Sequence, residues 1–99
     1  MKTKLPKRIT IGTRRFKVEH LHEIMDDKSK KPTIMGRISY GKRVIQVAHK
    51  YPAAEVRNTF WHEVTHGILE DMGSDLAENE RFVTAFANRL SDAIDSARF

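Results

Sequence analysis

Ninety-nine residues with no cysteine allow one domain with a modest core, and leave any metal to be held by His and carboxylate side chains. Hydrophobic residues make up 39% and charged residues 31%, which argues against disorder, and no apolar run approaches the about 18 residues of a membrane span. The net charge of +5 is unevenly placed: residues 1–50 carry 14 Lys/Arg against 4 Asp/Glu, whereas residues 51–99 carry 4 against 9.

The chain opens on a basic tail, Met1 to Arg8, with no apolar stretch behind it. It does not read as a signal peptide, and the cytoplasm is the expected setting (a host cytoplasm if the protein is phage-encoded). Residues 9–50 read as a β-sheet region. Ile9-Thr10-Ile11 and Phe16-Lys17-Val18 flank the turn Gly12-Thr13-Arg14-Arg15, as in a hairpin or a bent strand. His20 to Ile24 fits either an extended continuation or a short helical turn. Asp26 to Pro32 is a charged loop, and Pro32 discourages helix before it. Met35 to Tyr40 and Val44 to Val47 are strands around the turn Gly41-Lys42-Arg43.

Residues 52–97 read as two helices. Pro52 suits the first turn of one that runs to Met72, and Gly73 stands where a C-cap glycine belongs. Asp75 followed by Glu78 resembles a capping box, which starts a second helix from about Leu76 to Ala97. Val83, Phe86, Ala87, Leu90 and Ile94 form its apolar stripe. The expected fold class is α+β: a small antiparallel or mixed sheet followed by an antiparallel helix pair, in one domain.

The first helix carries His62-Glu63-Val64-Thr65-His66, the pattern H-E-x-x-H. Residues four apart on a helix lie one above the other, so both imidazoles can hold one Zn²⁺ at about 2.0–2.1 Å. Glu63 can reach a metal-bound water as general base. Five residues can match by chance, but the helical apolar pattern of Val64, Ile68, Leu69 and Met72 supports the context.

A catalytic zinc site typically needs a third protein ligand. Position 72, where a further His would stand in a metzincin-like site, is Met, and no His follows His66. The carboxylates that remain are Asp71, Asp75, Glu78 and Glu80. Asp71 points about 140° away from His66, and Asp75 and Glu78 are claimed by the expected cap. Glu80 falls inside the apolar stripe of the second helix, where an acid is costly unless paired or metal-bound. Glu80 is therefore the expected third ligand, with Glu78 second.

His62-Glu63-Val64-Thr65-His66-Gly67-Ile68 followed by Glu80-Arg81-Phe82-Val83 resembles the small zincin-like metallopeptidases of the gluzincin type, compact versions of which occur in phage and prophage genomes. The strands at Met35 to Ile38 and Val44 to Val47 resemble their layout before the motif helix. The resemblance covers roughly residues 9–95. It implies a minimal zincin-like fold, zinc on His62, His66 and Glu80, and Glu63 as general base.

Two classes of function follow. One is a zinc-dependent hydrolase, a metallopeptidase acting on a peptide or protein. Tyr40, His49, Tyr51 and Arg81 are its candidates, by type, for stabilising an oxyanion. The other is a non-enzymatic protein stapled by zinc, whose basic half contacts nucleic acid or an acidic host-protein surface. A solvated basic face is the plainer reading of that charge. His20 and His22 can bind metal adventitiously if extended, and Phe60 and Trp61 read as packing residues.

Overall fold

A computed structural model describes residues 5–31 and 34–99. Residues 1–4 of the expected tail, and Pro32 with its expected effect on the loop, lie outside the described residues. The elements are β1 (Arg8–Ile11), β2 (Arg14–Leu21), β3 (Gly36–Ser39), β4 (Val44–Ala48), α1 (Ala53–Met72) and α2 (Glu80–Ser96), the α+β arrangement expected. Of the tail, Arg8 already begins β1 and Leu5 packs against the core.

The four strands form one mixed sheet in the order β1-β2-β4-β3. β1 and β2 make a hairpin, one of the two forms expected, but Arg14 and Arg15 pair within β2 and leave Gly12-Thr13 as the turn; β2 stays extended through His20 and Leu21. β4 lies parallel to β2, with Val18 opposite Ile45, and antiparallel to β3, with Ile38 opposite Ile45. Alternation along the strands sends Ile11, Phe16, Val18, Ile45 and Val47 to one face, where they are buried. The outermost strands, β1 and β3, have only four residues each, a length that limits unwanted edge pairing.

α1 lies on the apolar face of the sheet, and α2 packs on α1 alone. Being covered on two sides explains why α1 buries residues around much of its girth, from Val56, Phe60 and Val64 to Thr65, His66 and Leu69. Phe60 joins Phe16 in the core, both fully buried, each contributing about 1.5–3 kcal/mol by transfer from water. Trp61 packs edge-on against Phe60 with ring centroids 4.9 Å apart. Gly67 permits the close approach of helix to sheet: a Cβ there would lie 2.8 Å from Ile11 Cδ1 and 3.1 Å from Ile38 Cδ1. The helix ends at Gly73, with φ 69°, as expected.

The two helices are antiparallel. Arg57 near the start of α1 donates to Asp95 near the end of α2 at 2.7 Å, while His62 meets Glu80 at the start of α2. α2 begins at Glu80, not at Leu76. No capping box forms between Asp75 and Glu78. Asn79 is the N-cap, its side chain accepting from Phe82 N at 3.0 Å. Two contacts account for the shift. Asn ranks with Asp as a cap. The Ala77 carbonyl, which a longer helix would use internally, instead accepts from His66 Nδ1 at 2.7 Å. The stripe of α2 is correspondingly narrower than expected: Val83, Ala87 and Ser91 are buried, whereas Phe86 and Ile94 are exposed.

Candidate metal centre

His62 and His66 project from consecutive turns of α1, their ring centroids 4.9 Å apart. Glu80, the first residue of α2, reaches across both. Its Oε2 lies 3.1 Å from His62 Nε2 and its Oε1 lies 2.5 Å from His66 Nε2. One ligand atom from each of the three residues falls within 4.8 Å of the others, so this group can hold a metal ion. It is the one such cluster of three among the described residues.

The donor chemistry fits a cation. A carbonyl can only accept, so His66 Nδ1 carries the proton it gives to Ala77, and in the neutral ring His66 Nε2 then presents a lone pair. That lone pair faces a carboxylate oxygen, an arrangement that calls for a proton or a metal ion between them. Hydrogen bonding of the remote ring nitrogen to a backbone carbonyl is also how metal-binding imidazoles are oriented. His62 has its pKa lowered by burial, with Glu80 pulling the other way and His66 adding to the fall, which favours the neutral, metal-ready ring.

Glu80 sits here for a different reason from the one its sequence position suggested. Its side chain is 67% exposed, so it is not an acid trapped in an apolar stripe. It occupies the first turn of α2, where the helix dipole favours an anion. The turn through Ser74 and Asn79 aims it back at α1. Of the other carboxylates considered, Asp71 pairs with Arg14 at 3.4 Å, Asp75 is exposed in the turn, and Glu78 lines the same cleft without joining the cluster.

Glu63 is buried beside the pair at 8% exposure. Burial pushes its carboxyl up to about 7, His66 lowering it and Glu80 raising it. A carboxyl with that value exchanges a proton near neutrality. It lies on an open cleft of about 630 Å³ with His62, His66 and Glu80. The opposite wall is the edge strand β3, with Gly36, Arg37 and Ile38. Gly36 is what lets the strand come so close: a Cβ there would lie 2.5 Å from Thr59 Cγ2 and 3.1 Å from the Gln46 carbonyl.

Of the four oxyanion candidates, only Tyr40 lines this cleft. Burial first, then Glu78, Glu70 and Glu63, push its phenol up to about 12, so it keeps its proton and can donate. His49 instead packs edge-on against His22, and Tyr51 lies against the core. Four cleft residues escaped the sequence reading: Asn88 on α2, and Glu55, Asn58 and Thr59 on α1 one or two turns before His62. For those on α1, helical spacing from the motif was the available signal. The Ala77 carbonyl had none, since backbone groups leave no trace in a residue pattern. No protein-family model, curated protein or solved structure matches the chain.

Proposed function

We propose that this protein is a zinc-dependent metallopeptidase of the minimal gluzincin-like type, with His62, His66 and Glu80 as ligands. The observation that carries the reading is a buried acid, Glu63, next to a His-His-Glu cluster on a cleft walled by a free sheet edge. A purely structural staple has no use for a proton-exchanging carboxyl between its two histidines. Zinc suits two imidazoles and a carboxylate, and when bound it supplies Lewis-acid polarisation of a carbonyl and acidification of water.

The chain's own residues then divide the work. Among the described residues β3 pairs with β4 on one side only, so its other edge can pair with an extended peptide and set the scissile amide across the cleft. The ionised Glu63 takes a proton from the attacking water as the new C–O bond forms. It returns that proton to the leaving nitrogen as the C–N bond breaks. Tyr40 donates a hydrogen bond to the carbonyl oxygen as its charge grows.

The test is hydrolysis of a mixed-sequence peptide library by zinc-loaded protein, with products identified by mass, beside Glu63→Gln at equal zinc content. Cleavage by wild type that falls at least about a hundredfold in the variant supports the reading. No cleavage by fully loaded wild type, or equal products from both, contradicts it and favours the zinc-stapled binding protein.

A further inference from the structure

We infer that the face of the sheet turned away from the helices binds the phosphate backbone of a nucleic-acid duplex. This face is built by the strand register. Arg8 stands opposite Lys17, Thr10 opposite Arg15, Lys17 opposite Val44, and Gln46 opposite both Glu19 and Arg37. These are the positions that alternate with the buried Phe16, Val18, Ile45 and Val47, so they point away from α1. No helix covers them, because α1 lies on the other face and α2 lies on α1.

The cations on this face are concentrated. Arg15 and Lys17 are two residues apart on one strand, about 6.7 Å, and Arg8 is one strand away, about 4.8 Å. Lys42 lies with Ser39 and Val44 in a hollow on the same face, which Arg37 and the acids Glu19 and Asp27 also line. Arg43 sits in the adjoining turn, its carbonyl accepting from Lys17 N at 2.9 Å. All five are exposed. Arg8, Arg15, Lys42 and Arg43 make no ion pair among the described residues, and Lys17 only touches Glu19 at 4.0 Å. The acids of the chain are mostly elsewhere, on α1, α2 and the turn between them.

The chemistry of the face selects among anionic partners. A protein interface centres on buried aromatic or large apolar anchors, and none of these positions carries one. Single strands are held by stacking bases on aromatic rings, which this face also lacks. What remains is an array of long, mobile cations with hydroxyl and amide neighbours (Thr10, Ser39 and Gln46), which suits sequence-tolerant contact with duplex phosphates. The surface is independent of the metal centre, which lies on the other side of the sheet.

The experiment is fluorescence anisotropy of a labelled mixed-sequence 20-bp DNA duplex, and of one of its strands alone, from about 50 to 200 mM salt. It uses the full chain, wild type, Arg15→Gln/Lys17→Gln, and Arg89→Gln on α2 as the control. About five phosphate contacts give a slope of log K against log salt near −4.5. The double variant should melt like wild type, bind at least about tenfold more weakly, and flatten the slope by about 1.8, while Arg89→Gln binds as wild type does. Absence of duplex binding at the lowest salt, equal loss in Arg89→Gln, or tighter binding of the single strand would overturn the inference. So would salt-sensitive self-association in sedimentation that the double variant abolishes while duplex affinity is unchanged.

Discussion

His66 donates its Nδ1 proton to the carbonyl of Ala77 at 2.7 Å, and this bond joins the motif helix to the turn that delivers Glu80. It orients one imidazole and occupies the carbonyl that would otherwise extend α2 backwards. The ring and the helix start are thus set by the same contact, which makes the local structure of residues 74–79 part of the candidate metal centre.

Asn79 tests that link. Replacing it with Ala removes the cap on Phe82 N and should cost about 1 kcal/mol of stability. Because the cap also places Glu80, Asn79→Ala should weaken metal binding several-fold, whereas Asn79→Asp should preserve both. Urea denaturation and a competitive zinc titration on the same preparations check the two effects together.

The metal-free protein should carry a pH signature from Glu63. Its folded-state carboxyl is raised from 4.5 to about 7, so the folded chain holds this proton more tightly than the unfolded one. The resulting stability is fully present below 4.5, is lost as pH rises through that window, and is gone above about 7. The span corresponds to roughly 3 kcal/mol. His62, with its pKa lowered, acts in the opposite sense as pH falls below its ordinary value. The measurement is therefore the difference between wild type and Glu63→Gln in denaturation at pH 5 and pH 8. The variant should gain relative to wild type at pH 8.

Gly36 governs the approach of β3 to α1. Gly36→Ala puts a methyl against Thr59 Cγ2 and close to the Gln46 carbonyl, and should destabilise by about 1–3 kcal/mol through overpacking. Removing the Thr59 methyl group with Thr59→Ser should recover part of that loss. A double-mutant cycle by thermal melting reads the coupling, and strict additivity would contradict the contact.

Tyr40→Phe removes a proton donor from the cleft while keeping the ring. On the proposed mechanism, peptide cleavage should fall about a hundredfold with zinc content unchanged, the order seen when one oxyanion donor is lost. Steady-state kinetics with matched metal analysis separates this from a site that simply fails to load.

Much of this architecture can be read from residue patterns, and the exceptions have physical causes. Pro52, Gly73 and the His62/His66 spacing are local signals, and α1 follows them. The alternation of Phe16, Val18, Ile45 and Val47 identifies a buried face. It carries no information on neighbours, so the insertion of β4 between β2 and β3 needs the structure. Helical periodicity puts Glu80 in a buried stripe, yet it is largely exposed and reaches the histidines from the first turn of a shorter helix. The start of α2 is not legible locally, because the decisive competitor for the Ala77 carbonyl, His66, lies eleven residues away.

The proposed mechanism depends on His62, His66 and Glu80 holding one zinc ion. The most direct test is elemental analysis and zinc affinity of the full chain after metal stripping and reloading, for wild type and Glu80→Ala together. One zinc per wild-type chain and at least about tenfold weaker binding in the variant are expected. A wild-type chain that takes up no zinc, or a variant that binds it as tightly as wild type, would contradict that mechanism.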